Sequence, residues 1–573
     1  MDQLQAKLYK LLVEVDEICK RNNIVYYLAG GTALGAIRGG GFLPWDDDID
    51  LYITRDNWNK LVKVMETQTP ENRIFVCVEN DDIYLNPVGR YVDKNTTVMM
   101  KSQLLCGKAC GQLIEFFIMD PMPKGDEAKW RHRQLVKTYA ELLSPYFVTG
   151  KNILTDNKDY DCELYKKYYK KSKKVGMKKV LKEILDEITS VEEKDSDCYC
   201  MRWGIRTLMY GKDLLAEPRM EKFEDAMFPI PAKQEEVARI AYGDSWMYVP
   251  EGTAKVVHNL DKDLTTPFET YTDLYMPLLD KETLLKNYEK NKRIRADALY
   301  RKNTFKMEFA KARAKVAAKY ITENDYDVDA MRKLLDERNF EELKKHLDYF
   351  YSQQSHSEIK TNRILVPVSD EYIYIAIMYH VLKGAYYKAN GILAFRKETE
   401  KPLTEDLAAA EALINFCKKI SVAVFDKRDV AMTEQILKEN TEYKDVVADY
   451  ARAELWCMTQ NAETDEDYHK IIQYAREKAE EFGKDGEIIR FEAYALYQLK
   501  SEKESFDRYI EAVHNTRNGY VWKEAGELFH IDAYNMVDNN VEDYCYEEEL
   551  VSDKNEDDSK NNDSNDLEDE VDD

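Results

Sequence analysis

Apolar residues recur at helical spacing near the start of the chain. Leu4, Leu8, Leu11, Leu12, Val15 and Ile18 fall on one side of a helix predicted over residues 3–20. The period then changes. Residues 24–29 (IVYYLA) predict a short strand, Gly30-Gly31 break it, residues 32–38 (TALGAIR) predict a helix, and Gly39-Gly40-Gly41 a turn. Residues 48–53 alternate, with Asp48, Asp50 and Tyr52 on one face and Ile49, Leu51 and Ile53 on the other. A helix is predicted over 55–67, strands over 74–78, 83–92 and 112–119, mostly helix over 126–215, an extended segment over 223–232 and a short helix over 235–244. Such a mixture predicts an α/β (α+β) domain built on a mixed sheet.

Beyond residue 285 or so the pattern is helical throughout. A long basic helix is predicted over 293–320, followed by helices near 329–350, 371–389, 404–421, 429–438, 445–459, 465–483, 487–499 and 502–514. Segments 445–459 and 487–499 carry similar small and aromatic residues, which fits either a solenoid of tetratricopeptide type or an irregular helical bundle. The expected organisation is therefore a mixed-sheet domain over 1–265, a linker over 266–290, an all-α domain over 291–540 and an acidic tail over 541–573.

Charge changes this picture at one end. The 573 residues carry a net charge of −25, and the tail alone holds 16 Asp or Glu against two Lys. So polar a tail cannot offset its ordering entropy by apolar burial, and disorder is expected there. An acidic body is also a poor general binder of nucleic acid, which is held through Lys and Arg. No run of apolar residues is long enough for a membrane span, and the charged N-terminal helix is unlike a secretory signal. The ten cysteines form no small-domain disulfide framework, so a reducing cytoplasm is expected.

The candidate chemistry is concentrated in residues 28–53, LAGGTALGAIRGGGFLPWDDDIDLYI. A strand ends in Gly30-Gly31 and a helix follows from Thr32. Backbone N–H groups at a helix start suit phosphate oxygens, and glycines let the backbone approach them. A later strand then presents Asp48 and Asp50 on one face, about 6–7 Å apart. That pair can share a Mg²⁺ (or Mn²⁺), a hard cation that takes carboxylates plus phosphates. A third strand offers Glu115 between Ile114 and Phe116, an acid that is costly to bury without a partner. The order GGT, then Asp-x-Asp on a strand, then an acid on a later strand is the pattern of the nucleotidyltransferase superfamily.

The segment closely resembles the LicD family, whose signature GTxLGAxR…GFIPWDDDIDI stands here as GTALGAIRGGGFLPWDDDIDL. VGRYVDKNTT (88–97), LIEFFIMDPMP (113–123), KFEDAMFPIPA (222–232) and YGDSWMYVPEGTAKVVH (242–258) resemble its further blocks. The resemblance covers about residues 5–260. Two departures stand out: Glu115 where the family has Asp, and Arg90 where Lys is expected. The resemblance implies a nucleotidyltransferase-like fold and metal-dependent transfer of phosphocholine, or a related alcohol phosphate, from a CDP-alcohol to a glycan. The family includes bacterial phosphocholine transferases acting on cell-surface glycans or teichoic acids, and its animal relatives, fukutin and fukutin-related protein, transfer ribitol phosphate. It implies a metal on Asp48 and Asp50, with Glu115 as a third ligand or as the base. It implies donor binding by Gly30, Gly31, Thr32, Arg38 and Arg90. Asp47 and His258 fit structural roles as well as contact with substrate. The implied partners are the CDP-alcohol and a glycan or lipid-linked glycan, met at the inner face of the membrane.

Other readings remain open from the residues alone. The DDDID cluster could serve a glycosyltransferase that uses a nucleotide-sugar, or the domain could be an inactive scaffold with the helical half recruiting protein partners. Cys106 with Cys110 and Cys198 with Cys200 lack the usual zinc spacing and read better as buried thiols. The run 166–179 holds eight lysines and suits either a solvated helix face or an anionic membrane or glycan.

Overall fold

The structure, a computed structural model, describes residues 1–99 (apart from 82, 83 and 85), 111–143, 161–251 (apart from 204 and 205), 261–293 in part, 327–355, 369–397 and 402–539. The acidic tail, most of the predicted basic helix, Cys106, Cys110 and His258 lie outside the described residues. By internal contacts the chain divides into two compact units, residues 1–450 and 451–573.

In chain order the first unit runs α1 (Gln3–Arg21), β1 (Tyr27–Leu28), α2 (Gly30–Gly39), β2 (Ile49–Thr54), α3 (Arg55–Gln68), β3 (Arg73–Val76), β4 (Gly89–Asp93), β5 (Thr97–Met99), β6 (Leu113–Pro123), α4 (Asp126–Leu143), α5 (Cys162–Val175), α6 (Met177–Ile188), β7 (Ser196–Trp203), β8 (Arg206–Gly211), β9 (Arg219–Phe223), β10 (Ala226–Ile230), α7 (Gln234–Tyr242), β11 (Asp261–Asp263) and α8 (Phe268–Tyr275). The amphipathic pattern of α1 is realised as expected, and Asp2 closes its start with a capping box on Gln5.

The main sheet has the order β1-β2-β6-β4-β3, and β7 and β8 extend it from the far half of β6. Only β2 and β6 run parallel; the other pairs are antiparallel. Met119 pairs with Thr54 on one side and Met201 on the other, so β7 continues the sheet on the side where β4 ends. The β6 strand is thus the spine of the sheet. Ile49, Leu51 and Ile53 and the facing Ile114, Phe116 and Ile118 are buried. Trp58 of α3 packs on Phe75 and Phe116 there. It lies so close to Gly89 that a Cβ at that position would overlap its ring, which is why β4 begins with glycine.

Two sequence expectations fail around the sheet. Residues 126–215 are not helical to their end: 196–203 and 206–211 form an antiparallel pair. Their few strand-favouring residues, Tyr199, Trp203, Thr207 and Tyr210, are diluted by Cys, Met, Arg and Asp, and pairing with β6 decides the conformation. The helix expected from Thr32 starts at Gly30, so both glycines belong to its first turn. The extended segment near 223–232 is one arm of the β9–β10 hairpin.

A charged cluster is buried at the end of β6. Asp120, fully enclosed, receives Arg55 Nε at 2.6 Å and lies 3.1 Å from Nε of the equally enclosed Arg202. Glu79 accepts from Arg55 Nη1 at 3.3 Å and from Trp58 Nε1 at 3.1 Å. Burial alone would raise the carboxyls of Asp120 and Glu79, but the two guanidinium groups overcome it and hold both below their ordinary values.

Helices of the first unit's later part rest on α7. Arg239 sends Nε and Nη2 to the Asp426 carboxylate at 2.6 and 2.9 Å, Nη1 to Asp244 at 2.8 Å and Nη2 to Ser421 Oγ at 3.0 Å. The helix expected over 371–389 is two, Asp370–Leu382 and Tyr386–Lys397, broken where Gly384 takes φ +69°. The helix expected over 329–350 is likewise two, Val328–Asp336 and Phe340–Ser355, with Arg338 at φ +53° between them.

The second unit contains Asp465–Phe482, Gly486–Gln498, Glu502–Asn515, Gly519–Phe529 and Ala533–Asp538. Each of the first three packs on the next. The middle one gathers charge, since Arg476 and Arg508 both bind Glu492, and Arg490 binds Glu524. The last two helices were not expected from the sequence.

Candidate functional site

The site starts where β1 ends. The Ala29 N–H bonds the Asp50 carbonyl at 2.9 Å, and the Asp50 N–H donates to Thr32 Oγ1 at 3.0 Å. These bonds lace the start of α2 to the start of β2. They bring the first turn of the helix against two carboxylates. Gly30 adopts φ +53°, and a Cβ there would stand 2.6 Å from Asp50 Oδ2; a Cβ on Gly31 would stand 2.7 Å from Asp46 Oδ2. Larger residues would displace both acids.

The sheet register completes the arrangement. Asp50 is paired with Glu115 across β2 and β6, and Glu115 with Arg90 across β6 and β4. Residues paired in adjacent strands share a face, about 5 Å apart. Asp50, Glu115 and Arg90 therefore form one row, and Asp48, just ahead of β2, lies close enough to add its charge to that of Asp50. Arg90 is buried, and its guanidinium turns onto Glu115, with Nε 2.7 Å from Oε1 and Nη2 on the same oxygen. Arg90, expected to bind the donor, also bonds Glu115.

Asp50 is different. Its Oδ1 is buried with no hydrogen-bond partner, and among the described residues no lysine or arginine pairs with it. Burial first, and then the negative charges of Asp48, Glu115 and Asp46, push its carboxyl well above the ordinary value of 3.8. Asp47 is paired with Lys262 Nζ at 2.7 Å.

Tyr242, at the end of α7, faces the acids. Burial and the charges of Asp50 and Asp46 raise its hydroxyl, and Arg38 acts on it in the opposite sense. Arg38, buried in the last turn of α2, thus reaches the same neighbourhood. Tyr52 and Tyr210 lie beneath, their hydroxyls 3.2 Å apart.

Gln5 and Tyr242 were missed from sequence. Gln5 Nε2 holds the acidic loop through the carbonyls of Leu43 and Asp46, each at 3.2 Å. A capping glutamine carries no sign of that second task. Tyr242 opened a block already marked by resemblance, but only the fold turns it towards Asp50. Cys198 and Cys200 are buried free thiols, and burial raises both.

Among the described residues no group of three or more His, Cys, Asp or Glu side chains is drawn together closely enough to hold a metal ion by itself. A divalent cation still fits Asp48 and Asp50, because Mg²⁺ is commonly held by one or two carboxylates plus substrate phosphates. The partnerless Oδ1 and the crowding of four acids are what such an ion would relieve.

Comparison with known proteins places this site. Residues 23–90 match the family described as LicD/FKTN/FKRP, nucleotidyltransferase domain. A stretch of 109 residues is 36% identical to the lipopolysaccharide cholinephosphotransferase LicD of Haemophilus influenzae, covering 18% of this chain and 39% of that protein. An uncharacterized protein of Rickettsia prowazekii is 38% identical over 58 residues, 10% of this chain and 22% of its own. One of Rickettsia typhi is 42% identical over 50 residues, 9% and 16% respectively. The chain thus spans well under half the length of these curated relatives. Glu115 lies beyond the residues matched by the family.

Proposed function

We propose, for a chain whose residues 23–90 belong to the LicD family, that it transfers phosphocholine or a related alcohol phosphate. The donor would be CDP-activated and the acceptor a hydroxyl of a cell-surface glycan or teichoic-acid precursor. The observation that carries this reading is Asp50, a carboxylate crowded by three others beside a helix start, with which no lysine or arginine among the described residues pairs. A diphosphate brought to the N–H groups of Gly30 and Gly31 meets Asp46 and Asp50 as well. Only a cation between them makes both sets of charges compatible.

In the reaction, the acceptor oxygen forms a bond to the phosphorus bearing the alcohol. The bridging P–O bond to CMP breaks, and the hydroxyl proton passes to a carboxylate. The first turn of α2 would hold phosphate oxygens, with Thr32 keeping that turn fixed to β2 through Asp50 N–H. Arg38 would supply positive charge on the Tyr242 side. Glu115, oriented by Arg90 through Oε1, would present its other oxygen to the acceptor. A Mg²⁺ or Mn²⁺ on Asp48 and Asp50, with Glu115 beside them, would neutralise charge on the diphosphate. The relative in H. influenzae is named for choline phosphate transfer to lipopolysaccharide, which supports the choice of group and acceptor. The inner face of the membrane is where a nucleotide donor and a lipid-linked acceptor would meet. No helix among the described residues is long and apolar enough to cross it.

Incubation with a divalent cation and a panel of CDP-choline, CDP-ethanolamine, CDP-glycerol, CDP-ribitol and UDP-hexoses tests the proposal. We expect CMP release from one CDP-alcohol, reduced roughly a hundredfold or more in Asp50→Asn. UDP release would favour a glycosyltransferase. Failure to bind any of these nucleotides by calorimetry would leave a scaffold.

A further inference from the structure

The lysine-rich run covers most of one helix and the start of the next, and five of its eight lysines surround the turn between them. α5 ends at Val175, Gly176 turns the chain with φ +89°, and α6 starts at Met177. Lys170, Lys173, Lys174, Lys178 and Lys179 are exposed around this turn. Residues 166–179 contain eight lysines and no acid, in a chain of net charge −25. Lys171 is paired with Glu183 and Lys173 with Glu289, each at 2.6 Å. Among the described residues Lys170, Lys174 and Lys179 make no ion pair. At the apex, Val175 is 42% exposed.

The other side of the hairpin is firmly held. Leu164, Tyr165, Tyr168 and Tyr169 of α5 and Val180, Ile184 and Ile188 of α6 are buried with Leu135, Val136 and Tyr139 of α4. The tip therefore keeps its shape while its charge faces outwards. A solvated face of this sign has no reason to exclude acids altogether or to end in an exposed valine.

We propose that the α5–α6 tip docks the protein on an anionic lipid bilayer. Lysines near such a surface attract it over about a Debye length, and an apolar apex enters the headgroup region. An anionic polysaccharide or nucleic acid would use the lysines but would gain nothing from Val175. The inference is independent of the catalytic reading, and its test involves no turnover.

The full chain is sedimented with vesicles of phosphatidylcholine alone and with about one-third phosphatidylglycerol, at low salt and at about 0.5 M NaCl. We expect binding to the anionic vesicles only, lost at high salt. Lys170→Gln, Lys174→Gln and Lys179→Gln together should weaken it on the order of a hundredfold, at roughly fivefold per lysine, with an unchanged circular dichroism spectrum. Val175→Ser, which removes the apolar apex without changing charge, should weaken vesicle binding while leaving any retention on soluble heparin unchanged. No binding to anionic vesicles, or wild-type binding by the triple variant, would overturn the proposal. Vesicle binding untouched by Val175→Ser would also overturn it and point to a soluble polyanion.

Discussion

Asp50 and Asp120 sit on neighbouring strands of one sheet and have opposite electrostatic fates. Asp120 is wholly enclosed, yet Arg55 and Arg202 hold its carboxyl below the ordinary value. Asp50 is partly accessible, yet burial and three neighbouring acids push it well above that value. On β6 the two neighbourhoods are five residues apart, about 17 Å, and on opposite faces. The difference teaches how to read a buried acid. Where the fold supplies a matching cation, the acid belongs to the architecture. Where no lysine or arginine among the described residues pairs with it, the acid is a candidate for binding a ligand.

The largest effect should come from breaking the compensated side. Asp120→Asn leaves two buried guanidinium groups short of a counter-charge, and we expect a loss of about 3–5 kcal/mol in urea denaturation. The sign of its pH dependence follows from the lowered carboxyl. Its contribution is present above the ordinary value of 3.8 and is lost as pH falls through the folded-state value. A stability curve for Asp120→Asn that runs parallel to wild type under acid would break the comparison.

Next comes the mixed case, Arg90 on Glu115. Arg90→Ala removes the one guanidinium in the row and should cost about 2 kcal/mol. Adding Glu115→Gln to it should recover part of that loss, since the excess negative charge beside Asp50 is then gone. A strictly additive double variant would show that the two groups do not act as a pair.

The smallest shift in stability, with the opposite sign, should follow Asp50→Asn. We expect a gain on the order of 1 kcal/mol at neutral pH, alongside the loss of nucleotide release. Here the folded-state carboxyl is raised. Its stabilising contribution is present below 3.8 and is lost as pH rises through the folded-state value. Asp50→Asn should therefore flatten the decline in stability from acid towards neutral pH. A destabilised Asp50→Asn protein would place Asp50 with Asp120 instead.

Much of the candidate site was legible in the sequence because its parts are local. Strand alternation alone predicts Asp48 and Asp50 on one face. The glycines at 30 and 31 stand where a Cβ would strike a carboxylate. The lysine run was legible as composition, but not as a hairpin tip. The β7–β8 pair was not legible, because Cys198, Cys200 and Met201 carry little strand preference and are fixed by their partners on β6 and β8.

By itself, the sequence determined the amphipathic helix α1, the acid pair on β2 beside a glycine-led helix, and the change from mixed sheet to helices. These follow from periodicity and from backbone sterics within a few residues. Only the tertiary structure decided that Arg90 serves Glu115, that Tyr242 looks onto Asp50, and that Asp120 is neutralised while Asp50 is not. Those outcomes depend on strand order and on the packing of α3, α7 and β7 against the sheet, which bring together groups from 25 to 192 positions apart in the chain. Coulomb energy reads distance in space, and no local pattern encodes it.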